Sequence, residues 1–177
     1  SSPAIATRIV GGRAGCPVRR AAVWRPLLFE VAMINSRRVC DLHPAVQRRC
    51  NAFLEACAAQ GIDILITSTF RDAESQNALY AQGRTMAGQK VTNAKAGQSW
   101  HNWRMAFDVV PMRNGKPVWG TSGADGDLWR RLGELGESCD LEWAGRWIKF
   151  REYPHFQFTG GLSLADLQSG KTLRGDA

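Results

Sequence analysis

The apolar positions of this chain fall into two periods. From Pro44 onward, Val46, Cys50, Phe53, Leu54 and Cys57 recur at helical spacing, and Gly61 stands where such a helix would stop. Pro44 suits a first helical turn. IDILITSTF (62–70) is rich in β-branched residues and reads as a strand. Asp72 is placed to cap a second helix carrying Ala73, Leu79 and Tyr80, with Gly83 after it. Residues 84–100 keep no period and read as a loop. MAFDVV (105–110) is a strand, RNGK (113–116) an Asn-Gly hairpin turn, and PVW (117–119) the start of the return strand. A third helix spans roughly 125–135, with Leu128, Trp129, Leu132 and Leu135 on one side. CDLEW (139–143) and HFQF (155–158) read as short strands, and Ser163 caps a short C-terminal helix. Helices mixed with hairpins, without a repeating βαβ order, predict an α+β domain: an antiparallel sheet with helices packed against it.

Residues 1–32 do not share this order. They show no steady period and no clear caps, and arginines and Glu30 interrupt their apolar stretches, unlike a signal peptide. The expectation is an N-terminal extension over 1–32 and a single folded domain over 33–177 with a short C-terminal tail. The 177 residues suffice for one domain, and 44% apolar with 22% charged residues is a globular composition. No apolar run approaches the ~20 residues of a membrane helix, so stable membrane insertion is not expected. The net charge of +7 points to an acidic partner, such as an anionic wall polymer, anionic lipid or nucleic acid. Its basic residues are spread along the chain and no groove-reading motif accompanies them, which argues against nucleic acid.

The five cysteines, Cys16, Cys40, Cys50, Cys57 and Cys139, form no CxxC pair, which argues against a thiolate zinc cluster. Cys50 and Cys57 share the apolar helix face with Val46, Phe53 and Leu54. They read as buried free thiols, which points to synthesis in a reducing compartment.

Candidate chemistry begins at SWHNWRMAFDVVP (99–111). Asp108 sits among Ala106, Phe107, Val109 and Val110, where its charge needs compensation from a salt bridge, a solvent-facing edge or a metal ion. His101 lies seven residues earlier, an odd spacing, so the two side chains converge only if the chain bends at HNWR. In REYPHFQF (151–158), Pro154 excludes a helix interior and leaves Glu152 and His155 in a turn entering a strand. Arg71 stands where a strand gives way to a helix. Two imidazoles and a carboxylate make a normal three-ligand zinc set with a place left for water. A nearby carboxylate can move the water's proton, and a guanidinium can stabilise an oxyanion.

STFRDAESQNALYAQGRT, VTNAKAGQSWHNWRMAFDVVP, LEWAGRW and FREYPHFQ together resemble the M15 family of zinc peptidases, over about Met33 to Phe158. The closest branch is the bacteriophage endolysins that act as L-alanyl-D-glutamate endopeptidases, related to the D-alanyl-D-alanine carboxypeptidases. The family pattern Ser-x-His-x-x-Gly-x-Ala-x-Asp falls on Ser99, His101, Arg104, Ala106 and Asp108. The resemblance implies His101, Asp108 and His155 as ligands of one Zn2+ per chain, Glu152 as catalytic base and Arg71 as carbonyl and oxyanion stabiliser. It implies substrate-side roles for Ser99, Gln76 and Trp143. It also implies a DD-peptidase/hedgehog-like fold and peptidoglycan stem peptide as substrate. Cleavage at L-Ala–D-Glu is the leading expectation, with D-Ala–D-Ala carboxypeptidase activity or an inactive wall-binding module as alternatives. The resemblance further leads to the expectation of a monomer made in the host cytoplasm without a signal peptide and acting on the wall from the periplasm after release. The chain departs from the pattern at Arg104, where the family has glycine. If the position has positive φ, arginine costs about 1 kcal/mol there, and its side chain either crowds the cleft or offers a positive group to an acidic substrate.

Overall fold

A computed structural model describes residues 33–173; the proposed extension over 1–32, Cys16 and residues 174–177 lie outside the described residues. Helix α1 (Pro44–Ala59) begins at His43, whose ring Nδ1 accepts from the Ala45 N–H, and the chain turns away at Gly61 with φ +66°. Val46, Cys50, Phe53 and Cys57 form its buried face. Strand β1 (Ile64–Ser68) leads through Arg71 into α2 (Ala73–Ala81), capped by the Asp72 carboxylate on the Ser75 N–H at 2.8 Å. Strand β2 (Ala106–Arg113) and β3 (Lys116–Pro117) form a hairpin whose turn residues Asn114 and Gly115 both have positive φ, as a type I′ turn requires. Then follow α3 (Gly123–Ser138), β4 (Glu142–Trp143), β5 (His155–Gln157) and α4 (Leu164–Gln168), the last closed by a capping box between Ser163 and Asp166.

The sheet is antiparallel throughout, in the order β1-β2-β5-β4, with β3 on β2. Its register decides the rest of the molecule. Phe107 pairs with Phe156, and Phe156 with Trp143. These residues fall on one face, where Phe53 of α1 completes a ring cluster with centroid separations of 4.9 to 6.4 Å. One residue along, Ser68 pairs with Asp108 and Asp108 with His155, a polar row across the opposite face. The sheet thus has a packed side and a chemical side.

Two elements differ from the sequence expectation. Helix α3 runs on to Ser138, so CDLEW contributes only Glu142 and Trp143 to the sheet. The cause is packing: a Cβ on Gly133 would overlap the Trp143 ring, and one on Gly136 the Phe156 ring. Both glycines therefore stay inside a helix they would otherwise weaken, because they let it close on the sheet. The return strand is only Lys116–Pro117, which leaves Trp119 58% exposed. The bend expected at HNWR is present: a 3₁₀ turn over Trp100–Trp103 follows the loop and brings about the reversal that the His101–Asp108 spacing demanded.

Cys50 and Cys57 are buried free thiols, and burial pushes both up to about 12. Among the described residues, no helix is long and apolar enough to cross a membrane.

Candidate active site

The polar row of the sheet meets the 3₁₀ turn at one point. The Oδ1 atom of Asp108 lies 3.2 Å from His101 Nε2 and 3.1 Å from His155 Nδ1. The second nitrogen of each ring is occupied elsewhere. His101 Nδ1 is 2.7 Å from the Thr69 carbonyl oxygen, which can only accept, so this nitrogen carries the hydrogen. His155 Nε2 is 3.0 Å from Gln157 Oε1, likewise an acceptor. The Gln157 amide is itself oriented, since its Nε2 donates to Glu142 Oε2 at 2.8 Å. Glu142 Oε1 accepts in turn from Trp147 Nε1 at 2.7 Å.

These outer partners fix both tautomers and leave two imidazole lone pairs facing a carboxylate oxygen. Three converging acceptors need positive charge among them, either a proton on an imidazole or a metal ion. The donor atoms of His101, Asp108 and His155 all lie within 4.8 Å of one another, a group that can hold a metal. Burial opposes ionisation of Asp108, but the two imidazoles outweigh it and hold the carboxyl well below the usual carboxylate range. Burial likewise opposes a charge on His155; Asp108, Gln157 and Glu152 outweigh it and raise that imidazole.

Arg71 enters from the turn between β1 and α2. It is buried, with Nη1 donating to Gln76 Oε1 at 2.9 Å and Nη2 to Ser68 Oγ at 3.0 Å, and Nη2 lies 3.8 Å from Asp108 Oδ2. Burial lowers its pKa, opposed by the nearby carboxylates of Asp108 and Glu152. Asn102 ties this turn to the 3₁₀ turn by donating to the Arg71 carbonyl at 2.9 Å. Glu152 is exposed, on the turn before β5, and lines the same cleft of about 380 Å³ as Arg71, Ser99, His101, Asp108 and His155.

Six of the nine residues singled out from the sequence therefore share one cleft. The other three have different places. Gln76 is fully buried and holds Arg71 from behind, with its Nε2 donating to the Ala94 carbonyl at 2.7 Å. Trp143 is a core residue, 2% exposed, wedged over Gly133 and Gly145, and its Nε1 donates to the Tyr153 carbonyl at 2.8 Å. It anchors the turn that carries Glu152 instead of facing the cleft.

Arg104 does have positive φ, at +63°, as its family position suggested. Its side chain neither crowds the cleft nor faces a substrate there. It donates to the Asp41 carbonyl at 2.7 Å and lies over the Phe70 ring at 4.0 Å.

Thr69, Gln157, Glu142 and Trp147 support the site without having stood out in the sequence. Gln157 is legible in principle, because a residue two positions after His155 on a strand shares its face. The Thr69 carbonyl is not, because a backbone acceptor carries no side-chain signature.

Residues 92–158 match the family model described as D-alanyl-D-alanine carboxypeptidase, the peptidase M15 type. The chain is 37% identical over 123 residues to the peptidoglycan L-alanyl-D-glutamate endopeptidase CwlK of Bacillus subtilis, covering 66% of this chain and 73% of that protein. This chain belongs to the M15 peptidase family. Solved structures agree on the fold. The Serratia marcescens L-Ala D-Glu endopeptidase ChiX superposes with a TM-score of 0.51 at 20% identity, over 72% of this chain and 90% of its own. VanYB in complex with D-alanine-D-alanine superposes with a TM-score of 0.51 at 15% identity, over 83% of this chain and 93% of its own. As an M15 peptidase, the chain has an antiparallel sheet with helices packed against it, and a His-Asp-His group in its cleft that can hold a metal.

Proposed function

We propose that this M15 peptidase is a zinc enzyme that hydrolyses the L-Ala–D-Glu bond of the peptidoglycan stem peptide. The observation that carries the reading is the convergence of His101, Asp108 and His155, with both outer ring nitrogens engaged, in one cleft with Glu152 and Arg71. The relation to CwlK supports the choice of bond.

Zinc, when bound by these three residues, supplies an acidified water and a polarised carbonyl. Glu152 takes the attacking water's proton and returns it to the leaving amine. Arg71, with two of its nitrogens held by Gln76 and Ser68, presents fixed positive charge to the developing oxyanion with little reorganisation. The basic chain suits an anionic wall.

Digestion of purified peptidoglycan tests this directly. New L-Ala carboxyl and D-Glu amino termini are the expected products, lost on chelation and in Glu152→Gln. Equal activity in Glu152→Gln or without zinc overturns the mechanism. The matched family description favours one second reading, a D-Ala–D-Ala carboxypeptidase with the same residues. Release of free D-Ala, read by mass, identifies it. The finer assignment, a monomeric bacteriolytic enzyme of the phage endolysin type, rests on the motif resemblance. Loss of turbidity when the protein is added to outer-membrane-permeabilised cells tests its lytic action.

A further inference from the structure

The cleft does not end at Glu152. Asp108, Glu152 and His155 also border a second hollow of about 380 Å³, on whose wall stand Trp119, Thr121 and Arg151. The reacting residues thus lie between two hollows, with Arg71 in the first and Arg151 in the second. A peptide lying across them would be held on both sides of the bond to be cut.

The two guanidiniums differ in availability. Arg71 is buried and bonded to Gln76 and Ser68. Arg151 is exposed and forms no ion pair among the described residues; its side chain makes one long contact, Nε to the Trp147 carbonyl at 3.4 Å. It lines the same hollow as Asp108, Glu152 and His155, so a group it holds there lies beside the reacting residues. Trp119, on the wall of the same hollow, is 58% exposed, an apolar surface that the core does not use.

We propose that Arg151 is a specificity-determining residue that pairs with the free carboxylate of the D-Glu residue, while Trp119 forms the apolar wall of the same subsite. The proposal rests on the L-Ala–D-Glu reading given above. In stem peptides D-Glu continues through its side-chain carboxyl. Its α-carboxylate therefore stays free, on the carbon that bears the scissile nitrogen. A charged acceptor there matches a guanidinium that has donors to spare. Lys90 is the neighbouring cation, beside Arg151 in the shallow groove over Val91 and Phe150, and is the comparison residue.

The test uses two muropeptides that differ only at this group, one with the D-Glu α-carboxylate free and one with it amidated. The wild-type protein is expected to favour the carboxylate form by about tenfold or more in kcat/KM. In Arg151→Gln that ratio falls toward one, and Arg151→Lys restores part of it. Trp119→Ala raises KM for both substrates and leaves the ratio in place. A wild-type ratio near one, a ratio that survives in Arg151→Gln, or one that collapses in Lys90→Gln instead, overturns the proposal. If neither substrate is cut between L-Ala and D-Glu, the parent reading fails, which is a separate result. Circular dichroism of each variant confirms that it is folded.

Discussion

Asp108 and His155 are direct cross-strand partners of β2 and β5, and their side chains approach to 3.1 Å between Oδ1 and Nδ1. Two of the three candidate ligands are thus positioned by sheet register. Only His101 depends on a turn, and that turn is held by the Thr69 and Arg71 backbone. Asp108→Ala removes the carboxylate common to both imidazoles. It is expected to abolish stoichiometric zinc, read by metal analysis after dialysis, with a loss of affinity beyond the ~10–100-fold typical of outer partners.

Gln157→Leu keeps all three candidate ligands and removes the acceptor that sets the His155 tautomer. Zinc affinity is expected to fall by about 10–100-fold, measured by competition with a chelator. An unchanged affinity would show that the Glu142–Gln157–His155 chain does not orient the ring.

Arg104 separates backbone strain from side-chain contacts. Arg104→Ala keeps the positive φ and loses both the Asp41 hydrogen bond and the Phe70 contact, so a stability loss of about 1–2 kcal/mol is expected. Arg104→Gly loses the same contacts but relieves the strain, and should recover about 1 kcal/mol relative to alanine. Urea unfolding gives both values. Because the side chain lies off the cleft, peptidase activity should persist in both; a lost activity in folded protein would place Arg104 at the substrate after all.

The Gly133 site tests how α3 is seated. Gly133→Ala places a Cβ inside the Trp143 ring and is expected to cost about 1–3 kcal/mol, although alanine favours helix. A gain in thermal stability would mean that Trp143 moves aside freely.

The buried thiols make stability fall in alkali. Cys50 and Cys57 are raised to about 12 in the folded protein, above the ~8.5 of an unfolded cysteine. Their contribution is fully present below that lower value. As pH rises past it, the unfolded chain releases protons that the folded one keeps, so unfolding becomes easier by up to about 1.4 kcal/mol per pH unit for each thiol. Denaturant midpoints between pH 8 and 10.5 should fall less steeply in Cys50→Ala than in wild type. Equal slopes would show that the thiol is not protected by burial.

Much of this molecule was determined by the sequence alone. The helical period of α1, the Asn-Gly turn and the caps at Asp72 and Ser163 are local, and each formed where its residues placed it. The candidate ligands were legible for a related reason: histidine is scarce in this chain, and an aspartate in an apolar run is conspicuous.

Only the tertiary structure decided what depends on register and approach. It placed Ser68, Asp108 and His155 in one row, and set a backbone carbonyl and Gln157 behind the two imidazoles. It drew Trp143 into the core through glycines that look like helix breakers, and it turned Arg104 away from the cleft. The physical reason is common to all four. Residue spacing fixes which face of its own element a side chain takes. What that side chain meets is settled by a different element, folded against it from far along the chain.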